Sequence, residues 1–206
     1  MDLNFAKIKV VFSDIGGVLL TNGWDHHSRE KAAKVFNFDY EEMNILHNFI
    51  YNVFEIGNIS LDEYLDTTVF HKERNFSKED FKSFMYQQSA ELPELLQWLQ
   101  TWKQKTDLPV FALNNESREL NDFRIKTFNL HQVFDGFFSS CYVGVRKPDP
   151  LIFKRAIEIV QVLPEECIYF DDRPMLVNAA KKLGMNSILH QNFETTKEIL
   201  ENLIRK

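Results

Sequence analysis

Residues that could do chemistry follow four short apolar runs of the sequence, each at the point where the run ends. They are carboxylates, amides and a lysine: Asp14, Asn114, Asn115, Lys147, Asp171 and Asp172. In an open parallel sheet, the carboxyl ends of the strands line one crevice. If the four runs are parallel strands, we expect these side chains to meet at one edge of the sheet.

The three aspartates indicate a cation site. Three carboxylates brought together without a compensating charge would repel one another, and one would have to take up a proton. A hard ion such as Mg²⁺ prefers oxygen ligands, so we expect Asp14 and Asp172 to bind it, with Asp171 as a further or supporting ligand. Lys147 adds a second positive charge. Together these groups suit phosphoryl transfer, with Asp14 attacking phosphorus to form an aspartyl-phosphate.

The elements that would position these residues alternate between strands and helices. The predicted strands are Ile8 to Phe12, Val110 to Leu113, Phe137 to Val143, Cys167 to Phe170 and, more weakly, Ser187 to Leu189. Apolar residues between the later strands recur at helical spacing, as they do around Ile152 and Ile157. Strands that alternate with helices imply parallel pairing. We therefore predict an α/β fold with a Rossmann-like parallel sheet at its core.

The interval from Leu20 to Pro109 breaks this alternation, because it offers successive helices and no convincing strand. Helix starts are indicated by Ser60 with Glu63, by Ser77 with Asp80 and by Pro93. One apolar helix face is predicted from Met43, Leu46, Phe49, Ile50, Val53 and Phe54. We expect a core domain of residues 1–19 and 91–206 and an inserted helical-bundle cap of residues 20–90.

Composition limits the possible partners and the environment. The chain has 206 residues and a net charge of -6, which argues against a nucleic-acid partner because phosphate binding relies on clustered Lys and Arg. No apolar run approaches the roughly 20 residues that a membrane helix needs. Cys141 and Cys167 are too few for a disulfide framework. We expect a cytoplasmic protein without membrane contact, as a monomer or weak homo-oligomer.

Four segments in order resemble the motifs of the haloacid dehalogenase superfamily, in particular its members with a helical cap inserted after the first strand. They are VVFSDIGGVLL, VFALNN, GVRKPDPLIFKRA and IYFDDRPMLVNAAKKLGM, and EIGNISLDEYL is similar to a cap segment of sugar-phosphate phosphatases in the family. The resemblance implies a magnesium-dependent phosphatase acting on a small phosphorylated metabolite such as a sugar phosphate. It also implies that Lys147 is catalytic and that the Gly16 carbonyl is a metal ligand. Asn114, Asn115, Gly16 and Gly17 would contact the substrate.

The sequence departs from the family pattern at three positions. Gly16 stands where family phosphatases usually carry the aspartate that protonates the leaving oxygen, and such a loss typically costs about 10² to 10⁴ in rate. Asn114 replaces a Ser or Thr, although an amide can still donate a hydrogen bond. Leu176 replaces a second carboxylate near the metal. These changes favour substrates with good leaving groups.

Two other interpretations stay open on the sequence alone. The fold could have become a weakly active or inactive module that binds a phosphorylated ligand, with the three departures as marks of decay. Alternatively, Asp14 could attack carbon, as in the haloacid dehalogenases, which also lack the second aspartate; these need no metal, so Asp171 and Asp172 would then be unexplained. The roles of residues where the chain enters the cap are also open, namely those of Trp24, Asp25, His26, His27 and Arg29.

Overall fold

A computed structural model describes residues 4–204 and contains one five-stranded parallel sheet. Its strands are β1 (Val10–Ser13), β2 (Val110–Ala112), β3 (Gly136–Phe137), β4 (Cys167–Asp171) and β5 (Asn186–Leu189). Their order across the sheet is β3-β2-β1-β4-β5. The parallel α/β core predicted from the sequence is thus confirmed, with β1 at the centre. All four residues of β1 are buried, since the sheet is covered on both faces.

Five helices separate β1 from β2, as the missing alternation predicted. They are α1 (His26–Phe36), α2 (Tyr40–Glu55), α3 (Leu61–Thr68), α4 (Lys78–Gln87) and α5 (Pro93–Lys103). Ser60 and Glu63 form the predicted capping box at the start of α3, and Ser77 accepts a hydrogen bond from the Asp80 N–H at the start of α4. The first four helices share a hydrophobic cluster around Tyr64 and Phe81. The domain limits at residues 20 and 90 stay a prediction.

The remaining helices flank the sheet. They are α6 (Arg118–Thr127), α7 (Ser140–Val143), α8 (Pro150–Val160), α9 (Pro174–Lys181) and α10 (Phe193–Ile204). Two hydrophobic clusters fill the spaces between these helices, α5 and the two faces of the sheet. None of the helices in residues 4–204 is long and apolar enough to cross a membrane.

Two expectations about local structure are wrong. The strand predicted over Phe137 to Val143 ends at Phe137, because the Ser139 carbonyl accepts hydrogen bonds from the N–H groups of Tyr142 and Val143 and the chain turns into α7. On α2, Phe49 is 85% exposed and Val53 is 40% exposed. The buried face of α2 instead includes His47, a polar residue that periodicity of apolar types does not reveal.

Candidate active site

The predicted catalytic residues converge at the carboxyl edge of the sheet. Asp14 follows β1 directly, Asp171 is the last residue of β4 and Asp172 comes next, while Lys147 precedes α8. Each of the three aspartates offers a carboxylate oxygen within 4.8 Å of the others. The adjacency of β1 and β4 brings them together, since Ser13 is in register with Phe170.

Lys147 is buried among these carboxylates, with 1% of its surface exposed. Its Nζ lies 2.7 Å from Oδ2 of Asp171 and 3.1 Å from Oδ2 of Asp14. It also donates a hydrogen bond of 3.0 Å to the Tyr169 hydroxyl, which itself contacts Asp171. One ammonium therefore lies against two of the three carboxylates, and Asp172 forms no ion pair among the described residues.

The pKa of Asp14 is raised to about 7, chiefly by burial, against which Lys147 acts, and Asp171 adds a further increase. Burial and the Asp171 charge also raise the pKa of Asp172. Oδ1 of Asp172 is buried without a hydrogen-bond partner among the described residues. An unpartnered buried carboxylate oxygen is costly, and a bound cation would remove that cost. The donor set, all oxygen and rich in negative charge, fits Mg²⁺.

Gly17 allows the chain to pass close to this cluster. Its φ is +73°, a left-handed conformation that favours glycine. A Cβ placed there would lie 2.1 Å from Oδ2 of Asp172, so any side chain would displace that carboxylate. The glycine next to it, Gly16, lines the cavity described below.

The two amides after β2 have different surroundings. Asn115 holds the backbone of Lys147, since its Oδ1 accepts from the Lys147 N–H at 2.8 Å and its Nδ2 donates to the Lys147 carbonyl at 2.9 Å. Asn114 is buried and turned inward, donating to Asn121 and accepting from Ser139. Asn115 lines the cavity and Asn114 does not. In this structure Asn115 is the better placed of the two predicted substrate contacts.

A cavity of about 500 Å³ lies between the edge of the sheet and helices α1 and α2; of the three aspartates, Asp14 lines it and Asp171 and Asp172 do not. Trp24, Asp25, His26 and Arg29 line it, whereas His27 does not. Leu176 also lines it, in the place where the sequence lacks a second carboxylate. Further polar lining residues that sequence reasoning missed are Asn22, His47, Asn48, Tyr51, Glu55, Glu116, Arg124, Arg146 and Arg173.

Several of these missed residues form ion pairs that join distant parts of the chain. Arg124 Nη1 lies 2.8 Å from Glu116 Oε2, and Arg146 Nε lies 2.6 Å from Glu55 Oε2. Both acids line the same cavity as Asp14, but neither comes directly after the last residue of a strand. Their sequence signal is weak, because an Arg or Glu in a helix is usually solvated.

Comparisons with known proteins indicate a family of hydrolases. The haloacid dehalogenase-like hydrolase family model matches residues 8–184. The chain is 30% identical to flavin mononucleotide hydrolase 1 of Arabidopsis thaliana over 76% of its own length and 63% of that protein's. It is 28% identical to a phosphorylated carbohydrates phosphatase of Thermotoga maritima over 88% and 84% of the two lengths. Its length thus spans less than two thirds of the plant relative.

Solved structures support the same fold. A haloacid-dehalogenase-family enzyme of Bacteroides thetaiotaomicron superimposes with a TM-score of 0.80 at 21% identity, covering 93% of this chain and 98% of that one. A structure of that enzyme with magnesium and inorganic phosphate gives 0.74 at 22% identity, over 89% and 94% of the chains. This chain belongs to the haloacid dehalogenase-like hydrolases, as the sequence motifs implied.

Proposed function

We propose that this chain is a Mg²⁺-dependent phosphatase of a small phosphorylated metabolite, with Asp14 as the nucleophile. The observation that carries the proposal is the cluster of buried Asp14, buried Asp171 and half-buried Asp172 around a single lysine, Lys147. One carboxylate oxygen of that cluster, Oδ1 of Asp172, lacks a partner among the described residues. Three carboxylates against one ammonium leave the ionised cluster two positive charges short of neutrality, and a divalent cation would supply both.

Asp14, Asp172 and the Gly16 carbonyl would hold the magnesium ion, with Asp171 in support. When bound, magnesium supplies positive charge that neutralises the phosphoryl oxygens. Asp171 is already engaged by Lys147 and by the Arg173 N–H, whose nitrogen lies 2.8 Å from Oδ1. Because both of its carboxylate oxygens are engaged, Asp171 is suited to orient Lys147 rather than to bind the metal directly.

Asp14 is aligned for attack by its neighbours. Its Oδ1 accepts a hydrogen bond of 2.8 Å from the Ile15 N–H, and its Oδ2 faces Lys147. The attack forms a bond from Asp14 to phosphorus while the bond from phosphorus to the leaving oxygen breaks, and water then hydrolyses the aspartyl-phosphate. Lys147 can stabilise the charge on the phosphoryl oxygens in both steps.

The cavity supports a small, polar substrate. Its lining includes four arginines. Arg124 and Arg146 are paired with glutamates, whereas Arg29 and Arg173 form no ion pair among the described residues and suit an anionic ligand. The names of two relatives, a phosphatase of phosphorylated carbohydrates and a flavin mononucleotide hydrolase, describe phosphate esters of hydroxylated compounds. The magnesium and inorganic phosphate bound in the Bacteroides thetaiotaomicron structure also support magnesium as the cofactor and phosphate as a product here.

A phosphometabolite screen tests this proposal. Phosphate release would be measured for sugar phosphates, flavin mononucleotide and acyl phosphates, with Mg²⁺ and with EDTA. We expect release that depends on Mg²⁺ and falls by at least about 10³-fold in Asp14→Asn. The matched control, Asp107→Asn at an exposed position, should retain full activity. Tight ligand binding without turnover, or halide release from haloacids in EDTA, would contradict the proposal.

A further inference from the structure

The reaction proposed above needs a proton donor for the leaving oxygen, and the usual position for one holds Gly16. We propose that Glu116, held by Arg124 beside Gly16, supplies that proton and later accepts one from the attacking water. This inference rests on the proposed function. It assigns a catalytic role to a residue that follows β2, rather than to the segment after β1.

The first support is the position of the Glu116–Arg124 pair. A Cβ built on Gly16 would lie 3.8 Å from Nη2 of Arg124 and 3.2 Å from Oδ1 of Asn22. Nη1 of the same guanidinium lies 2.8 Å from Oε2 of Glu116. Arg124 therefore lies beside the space into which a longer side chain at Gly16 would extend, and Glu116 is held on the other nitrogen of the same guanidinium. Glu116 and Gly16 line the same cavity as Asp14.

The second support is that Glu116 is held rigidly. Its backbone N–H donates a hydrogen bond of 3.0 Å to Ser140 Oγ, and its Oε1 accepts one of 3.0 Å from the Ser117 N–H. Only 9% of the residue is exposed. Burial raises the pKa of Glu116, Arg124 lowers it and the Glu55 charge raises it again. A fixed carboxyl group with a raised pKa is the kind of group that general acid catalysis uses.

The other titratable residues of the cavity are less suitable. Asp25 caps α1, with its Oδ1 2.9 Å from the Ser28 nitrogen. Burial and the Arg29 charge lower the pKa of His47 to about 3, so its ring is uncharged near neutral pH and is a poor general acid. Glu55 is paired with Arg146.

The protons balance over one cycle. In the first step the carboxylic acid of Glu116 gives its proton to the leaving oxygen as the bond from that oxygen to phosphorus breaks. In the second step the carboxylate of Glu116 takes a proton from the water that attacks the aspartyl-phosphate. Phosphate leaves, Asp14 returns to its carboxylate form and Glu116 is again an acid.

Dependence on the leaving group tests the assignment. 4-Nitrophenol leaves readily as an anion, whereas phenol leaves poorly without a proton. In Mg²⁺, Glu116→Gln should lower kcat/KM for phenyl phosphate by about 10²-fold and that for 4-nitrophenyl phosphate by less than about 5-fold. Adding Gly16→Asp to that variant should recover much of the loss on phenyl phosphate, because the new carboxyl group would lie beside Arg124.

Glu55→Gln is the matched control, since it removes the other ion-paired glutamate of the cavity. It should change kcat/KM for both substrates by the same factor. If Glu116→Gln does not fold, Glu116→Asp keeps the charge but withdraws the carboxyl group, and it should show the same selective loss. Equal losses on both substrates in the Glu116 variants would overturn the assignment but leave the phosphatase proposal standing. A wild-type chain that hydrolyses neither ester would overturn both.

Discussion

The ammonium of Lys147 lies 3.1 Å from Oδ2 of Asp14, in a site where both residues are buried. The pair is asymmetric, because the same ammonium lies closer to Asp171, at 2.7 Å. Burial therefore outweighs the attraction of Lys147, and the pKa of Asp14 rises to about 7 without metal. A nucleophile must be unprotonated, so a bound cation that favours the carboxylate would also activate Asp14.

This relationship predicts how stability depends on pH without metal. The pKa of Asp14 is about 7 in the folded chain against an ordinary value of 3.8. Its contribution to the free energy of unfolding is therefore fully present below about pH 4 and is lost as pH rises through 7, by at most about 1.4 kcal/mol per pH unit. Asp14→Asn should gain stability relative to the wild type from pH 4 to pH 8 in EDTA.

Urea unfolding of both proteins across this pH range provides the measurement. The informative quantity is the slope against pH of the difference in unfolding free energy between the two proteins. Asp14→Asn also loses the ion pair with Lys147, but that loss depends little on pH. Asp107→Asn, at an exposed position, should show a difference that is flat with pH. A flat difference for Asp14→Asn as well would mean that Asp14 is already ionised at low pH in the folded chain.

The sequence predicts the aspartates of the catalytic cluster well because they lie at the ends of strands. Asp14, Asp171 and Asp172 need only the parallel pairing of β1 and β4 to meet, and apolar runs reveal those strands. Lys147 instead lies between α7 and α8, so its place in the cluster was predicted by the motif resemblance rather than by a strand. Which neighbouring amide faces the cavity is harder to predict. Asn114 and Asn115 are adjacent and chemically alike, so their roles depend on how the chain turns after β2.

The walls of the cavity were beyond prediction for a different reason. Glu55 and Arg146 lie 91 positions apart, and their contact depends on how α2 packs against the sheet edge. Glu116 and Arg124 are closer in sequence, but the position of Arg124 beside Gly16 depends on a contact with the segment after β1. Arg124 Nη2 donates to the Thr21 carbonyl at 2.6 Å. The apolar periodicity also predicted Phe49 on the buried face of α2, because a pattern of apolar residues cannot show that the polar His47 is buried there.

Replacing each of the two adjacent aspartates by asparagine should have opposite effects on the stability of the metal-free protein. Asp172 is repelled by Asp171, and its Oδ1 has no partner among the described residues. Asp172→Asn should therefore leave the metal-free protein as stable as the wild type or more so, yet abolish stabilisation by Mg²⁺. Asp171→Asn instead removes the closest partner of buried Lys147 and should cost about 3 kcal/mol.

Thermal unfolding with EDTA and with Mg²⁺ separates the two variants. A ligand that binds only the folded state stabilises it by RT ln(1 + [L]/Kd), so the Mg²⁺-dependent rise in Tm reports binding at the site. Each variant serves as the control for the other, since both exchange one carboxylate for an amide. A full Mg²⁺ shift in Asp172→Asn would remove that residue from the proposed ligands.

Gly17 and Gly144 offer a matched pair for testing the metal cradle. Both have a left-handed φ, +73° at Gly17 and +67° at Gly144. An added Cβ at Gly17 would lie 2.1 Å from Oδ2 of Asp172, whereas at Gly144 it would meet nothing within 4 Å. Both Gly→Ala variants should lose about 1 kcal/mol from backbone strain. Only Gly17→Ala should also push the Asp172 carboxylate out of place.

The Asp172 side chain can rotate away from such a clash, so the main effect of Gly17→Ala should be on magnesium rather than on folding. We expect it to lose most of the Mg²⁺-dependent rise in Tm and at least about 10-fold in phosphatase activity. Gly144→Ala should keep both. If the two variants retain the same Mg²⁺ shift, then the position of the Asp172 carboxylate beside Gly17 does not govern metal binding.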